Sequence, residues 1–213
     1  MSQPDDPTVL PSQLALAGTP VLHRVCRSYD QEIWPPDRLG RLRDILSLTM
    51  TTSRGVGIAA NQIGVDLRMI VLGDRAVAPP GVDPGLYGRQ GRYPFETYGL
   101  LDPVLEPVLD AGWSAWFEGC LSVPGYTALV ARWNAVVVRA LTPAGEPTTF
   151  QADGWHARIL QHETDHVNGV LYTERMTPRT LMDKARYQTH WQGLPVADVL
   201  TGLGAEVLVP PGS

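Results

Sequence analysis

"DGWHARILQHETDHVNG", residues 153–169, decides how this chain is read. Asp153 can cap a helix at its start and Gly169 can stop one, so the stretch predicts a helix between them. It follows segments of a different kind. "RMIVL" (68–72), "LLDPVLEPV" (100–108), "SAWFE" (114–118), "NAVVVRAL" (134–141) and "TTFQA" (148–152) read as strands, the last two joined by a turn at "AGEP" (144–147). Two further helices are expected. One covers "PDRLGRLRDILSLTMTTSRG" (36–55), with Leu39, Leu42, Ile45, Leu46 and Thr49 at helical spacing, and the other "PRTLMDKARYQTH" (178–190). Strands that mostly succeed one another, with few helices, point to an α+β fold with antiparallel sheets.

The chain has 213 residues, enough for one sizeable core, and its 44% hydrophobic and 18% charged residues fit a compact globular protein. A net charge of -5 argues against direct nucleic-acid specificity, because phosphate contacts need clustered Lys and Arg. No apolar run reaches membrane-spanning length, and the acidic start lacks the basic region of a signal peptide. Cys26 and Cys120 make no disulfide framework. No membrane association and a reducing, cytoplasmic location are the expectation. Residues 1–17 read as a loose N-terminal arm and 18–190 as the domain. Residues 74–98, rich in Pro, Gly, Arg and Tyr, read as a long loop inserted in that domain, and 191–213 as a tail without assignable structure.

Within the helix, His162 and His166 lie four residues apart, so both rings can face one ion. Glu163 lies to the side of that pair, where its carboxylate can act as a general base. A third protein ligand is then needed. "HETDHVNGVLY" follows a protease zinc motif until its last position, where Tyr172 stands in place of histidine. A phenol is a poor ligand at neutral pH. His190, Glu174 and Glu206 remain downstream. Upstream, Cys120 in "FEGCLSVPG" (117–125) is the better candidate, because a thiolate is a strong soft ligand.

Three stretches, "GVGIAANQIG" (55–64), "EGCLS" (118–122) and "QHETDH" (161–166), resemble the three motifs of the peptide deformylase family, in that order and at about the usual separations. The similarity runs from "GTPVLHRVC" (18–26) to "RMTPRTL" (175–181), and the last motif with its flanks looks most like the mitochondrial-type branch. The resemblance implies antiparallel sheets packed around a central metal-binding helix. It implies Cys120, His162 and His166 as ligands of one divalent ion, Fe²⁺ first, with Zn²⁺, Ni²⁺ or Co²⁺ able to take the site. Three ligands leave a tetrahedral ion one open position, as catalytic sites require.

The implied reaction removes the formyl group from the N-terminal formyl-methionine of nascent peptides, releasing formate. Transient contact with the ribosome is implied as well, although no basic C-terminal patch accompanies it. Glu163 would move the proton between water and the leaving amine. Gln62 and the backbone N–H of Leu121 would hold the oxyanion. Val56, Gly57, Gly119, Trp155, Arg158 and Ile159 would bind substrate, with Arg158 expected to snorkel outward and leave only its stem in the wall. Trp116 would narrow the same pocket or pack in the core. Glu118 and Asp165 would support the site, with Arg132 paired to Glu163 or Glu118. The arginine that common bacterial relatives carry seven residues after the cysteine is Thr127 here.

Overall fold

The computed structural model describes residues 12–78 and 83–210. The first part of the N-terminal arm (1–11), residues 79–82 of the insertion and 211–213 of the tail lie outside the described residues. The main elements, in chain order, are α1 (Pro36–Thr52), β1 (Gly57–Ala59), β2 (Met69–Asp74), α2 (Pro84–Arg89), β3 (Phe95–Pro107), β4 (Trp113–Cys120), β5 (Val123–Trp133), β6 (Ala135–Leu141), β7 (Pro147–Asp153), α3 (Gly154–Val167), β8 (Met182–Asp183), α4 (Lys184–His190) and α5 (Val196–Leu203).

One five-stranded sheet has the order β1-β2-β3-β6-β7 and one three-stranded sheet the order β4-β5-β8, with every pairing antiparallel. Helix α3 packs against the strands of the larger sheet and against β5 of the smaller one. The expected α+β architecture around a central helix is therefore the observed one.

β2 shows how the sequence builds the larger sheet, because its side chains alternate between two buried faces. Ile70 and Leu72 pack with Leu100, Val136 and Val138 against Ala157, Leu160 and Val167 of α3. Met69 and Val71 pack with Ile58 and Leu101 against Leu39, Leu42, Leu46 and Met50 of α1. Burial of both faces explains why the strand reads as an unbroken apolar run.

The same period of two organises β5, which the sequence reading did not assign. Leu129 and Ala131 face Val196 and Leu200 of α5, while Ala128 and Val130 face Cys120 and Tyr172. Arg132 continues the inward series, and this buried arginine breaks the apolar pattern that marks a strand. Helix α5 lies in the tail to which the sequence assigns no structure, and it covers the outer face of the smaller sheet.

Other boundaries also shift. The third helix is confined to Lys184–His190, because Pro178–Thr180 forms a single 3₁₀ turn and Met182–Asp183 pairs with β5. Residues 12–17 are tied down rather than loose, since Ala15 N–H donates to Gln62 O at 2.8 Å and Ala17 N–H to Ser122 O at 2.8 Å. The inserted loop contains α2 and the first residues of β3. Arg92 anchors it, pairing with the carboxylate of Asp74 at 2.7 and 3.0 Å and lying over the rings of Tyr87 and Trp155. Its chain passes so close to the start of α3 that a β-carbon on Gly154, which has φ +52°, would stand 2.5 Å from Gly91 O.

Candidate active site

His162 and His166 project from α3 toward the end of β4, where Cys120 closes the strand. The three side chains offer one sulfur and two ring nitrogens that all lie within 4.8 Å of one another. Cys120 Sγ is 3.2 Å from His166 Nε2. Ligand bonds of about 2.3 Å to sulfur and about 2.0 Å to nitrogen at tetrahedral angles separate two such donors by about 3.5 Å. The spacing thus fits a divalent ion. Against the cost of burial, the adjacent His166 and His162 rings hold the Cys120 thiol well below its ordinary value, which favours the ligating thiolate.

Tyr172, which takes the place of a third histidine in the protease motif, is buried and stacks on His162 at 6.1 Å between ring centroids. Its hydroxyl has no hydrogen-bond partner among the described residues, and burial pushes its pKa up, so it remains a phenol. It packs the site rather than completing it.

A buried ionic network fixes the ligands from behind. Glu118 accepts from Arg132 Nε at 2.8 Å and Nη2 at 3.0 Å, from Arg158 Nη1 at 2.7 Å, and lies 2.9 Å from His162 Nδ1. That last contact turns the other ring nitrogen of His162 toward the ligand cluster, the usual outer support of a metal-bound imidazole. Although burial opposes ionisation, the Arg132 charge, the His162 contact and Arg158 hold the Glu118 carboxyl well below the usual range. Asp165 ties the same network together through Arg132 at 2.7 Å and Arg175 at 2.8 Å. Arg132 therefore pairs with Glu118 and Asp165, not with Glu163.

Arg158 corrects an expectation. It does not snorkel outward: it is 4% exposed, and its guanidinium also donates to Val130 O and Ser114 O. A buried carbonyl, a half-buried one and a buried carboxylate take the place of solvent for its donors. Burial pushes its pKa down to about 10, with Glu118 opposing, so it stays charged at neutral pH.

On the open side lies a cleft of about 1310 Å³. Gln62 reaches it from the turn after β1. Its Oε1 accepts from Ala59 N–H at 2.9 Å, which aims the amide N–H groups at Ser122 Oγ, 3.0 Å away, and Cys120 Sγ, 3.5 Å away. Leu121 lines the cleft next to Cys120, and its backbone N–H makes no hydrogen bond among the described residues. Glu163 Oε2 is buried without a partner among the described residues. Burial pushes the Glu163 carboxyl up to about 7, with the His162 and His166 rings pulling the other way.

The cleft gathers every residue expected to bind substrate: Val56, Gly57, Gly119, Trp155, Arg158 and Ile159. Trp116 is not among its lining residues and donates instead to Ser114 Oγ at 3.2 Å; Phe117, one position along β4, takes the wall. The sequence reading missed Ser122, Phe117 and Lys184 at the site. Ser122 was legible as the last residue of "EGCLS". The other two depend on how β4 and α4 meet.

A buried sulfur and two imidazoles beside a buried carboxylate, at the floor of an open cleft, form the layout of a metal-dependent hydrolase. The sequence profile of the polypeptide deformylase family matches residues 11–181. Peptide deformylase 1 of Streptomyces coelicolor is 40% identical over 200 residues, covering 94% of this chain and 89% of that protein. Peptide deformylase 1A, chloroplastic/mitochondrial, of Arabidopsis thaliana is 39% identical over 168 residues, 79% of this chain and 62% of that protein. The actinonin-bound class I type b peptide deformylase of Acinetobacter baumannii superposes with a TM-score of 0.67 at 29% identity, covering 79% of this chain and 99% of that one. The chain belongs to the peptide deformylase family. It is an enzyme that removes the N-formyl group from nascent peptides, and it carries a metal-binding Cys, His and His set.

Proposed function

We propose that Cys120, His162 and His166 hold one divalent ion and that Glu163, Gln62 and Leu121 carry out deformylation around it. The observation that carries this reading is the convergence of the three ligands, within 4.8 Å of one another, on the cleft into which Glu163 and Gln62 also project. When bound, the ion supplies Lewis acidity to water and to the formyl oxygen. Glu163, with one oxygen unpartnered, takes a proton from the attacking water and passes it to the departing amine. The Gln62 amide and the Leu121 N–H stabilise the negative oxygen as the formyl carbon becomes tetrahedral. Val56, Gly57, Gly119, Trp155, Arg158 and Ile159 line the peptide and methionine sites, with Arg158 contributing its stem while its head group holds Glu118.

Fe²⁺ is the working metal in this reading, although a thiolate with two imidazoles also suits Zn²⁺, Ni²⁺ or Co²⁺. The domain runs over 18–190 with the insertion at 74–98. The enzyme acts in the cytoplasm on chains emerging from the ribosome, which it contacts only transiently. Among the described residues no helix is long and apolar enough to cross a membrane. The test is formate release from formyl-Met-Ala-Ser by anaerobically iron-loaded protein. Release that disappears in Cys120→Ala together with the metal supports the reading. Release that persists in that variant with the metal retained overturns the ligand set. Activity lost in air from the iron form and kept by a nickel form supports iron, whereas equal survival of both counts against it.

A further inference from the structure

We propose that the mouth of the cleft selects formyl peptides with a carboxylate side chain at the second or third residue, and that Lys184 receives it. The proposal rests on the deformylase reading of the cleft and adds a substrate preference to it.

Lys184 is the only lysine in the chain. Three ties position it. Met182 and Asp183 pair with Thr127 and Tyr126 of β5. The Asp183 carboxylate caps α4, accepting from Ala185 N–H at 2.8 Å and Arg186 N–H at 3.2 Å, which commits it to the backbone. One turn on, the Tyr187 ring lies 4.5 Å from Phe117 of β4. Together these set Lys184 over Gly119, the residue before Cys120: a β-carbon on Gly119 would stand 3.1 Å from Lys184 Nζ. The ammonium forms no ion pair or hydrogen bond among the described residues. A cation gains nothing from the start of a helix, so helix stability does not account for its position.

The surroundings make the charge effective. Arg54 and Arg75 line the same cleft, are exposed, and likewise form no ion pair among the described residues. The other cleft arginines are neutralised, Arg92 by Asp74 and Arg158 by Glu118. Against Lys184, Arg54 and Arg75 the mouth sets one exposed carboxylate, Glu96. A local excess of positive charge on a chain of net charge -5 attracts acidic ligands and repels basic ones. Lys184 stands beside Gly119, the residue before Cys120, so it meets the residues closest behind the formyl-methionine.

The test compares C-terminally amidated formyl-Met-Asp-Ala and formyl-Met-Ala-Asp with their Asn and Lys twins. At low ionic strength the wild type favours the Asp peptide of at least one pair by about fivefold in kcat/KM over Asn, and by more over Lys. The ratio falls toward one in about 0.5 M salt. Lys184→Arg keeps the preference and Lys184→Glu inverts it. Equal rates on all twins, or the same ratio in wild type and Lys184→Glu, overturn the proposal. A second readout does not depend on turnover: the Asp peptide slows acetylation of Lys184 by acetic anhydride, measured by peptide mapping, and its Asn twin does not. Equal protection by both twins also overturns it. Absence of formate from every peptide defeats the deformylase reading instead, and the labelling result still decides the role of Lys184.

Discussion

A β-carbon on Gly57 would stand 2.3 Å from Glu163 Oε1. The glycine of β1 and the carboxylate of α3 thus occupy adjoining space that no larger side chain can share. Gly57→Ala is expected to push Glu163 out of place and lower kcat/KM about 100-fold, as misplacement of a reacting group by about 1 Å does. The metal content should stay at the wild-type level, because the three atoms nearest the added carbon all belong to Glu163 and none to a ligand. Metal analysis beside formate kinetics checks this. Wild-type rates in the variant would mean that Glu163 moves without consequence and is not the proton carrier.

Glu163→Gln separates chemistry from folding. Loss of a general acid–base group lowers the rate by about 10²–10⁴-fold. Stability should not fall, since the native carboxylate is buried with Oε2 unpartnered and a neutral amide costs less to bury. Urea denaturation of the two proteins is the measurement. A clear drop in midpoint would show that Glu163 has a structural partner.

Arg158→Met removes one of the two guanidiniums that compensate Glu118. Breaking a buried ionic network by deleting one partner costs about 3–5 kcal/mol. Glu118 also orients His162, so metal affinity should fall about 10–100-fold. Urea unfolding and a competitive chelator titration read the two effects. A variant as stable as the wild type would mean that Arg132 alone suffices for Glu118.

Cys26, which does not line the cleft, supplies a further pH dependence. Burial, with Asp66 adding, pushes its thiol from 9.0 up to about 11, while Arg68 and Arg24 oppose. The folded state therefore favours the protonated form. The stability this contributes is fully present below about pH 9 and is lost as pH rises through the folded value. Compared with Cys26→Ala, the wild type should lose about 2 kcal/mol of relative stability between pH 8 and pH 11. A difference between the two proteins that stays constant over that range would contradict the shift.

How much of this could be read from the sequence depended on the range of the interactions. The helix with His162, Glu163 and His166 is a local, periodic feature, and its ligand pair follows from spacing alone. Cys120 lies 42 residues before His162, and spacing left it as one candidate among several; likeness to the family motifs singled it out. β5 was missed because Arg132 occupies an inward position that only Glu118 and Asp165 make tolerable. Arg158 was misjudged for the same reason, since its acceptors come from two other strands, Ser114 and Glu118 of β4 and Val130 of β5. The Pro and Gly of "PGLYGR" disguised α2 as loop, and Lys184 over Gly119 exists only once α4 docks on β4.

X-ray absorption at the metal edge of anaerobically prepared protein tests the central claim most directly. One sulfur at about 2.3 Å and two imidazole nitrogens at about 2.0–2.1 Å around a single ion are predicted. A shell of nitrogen and oxygen alone in the wild type would contradict the account.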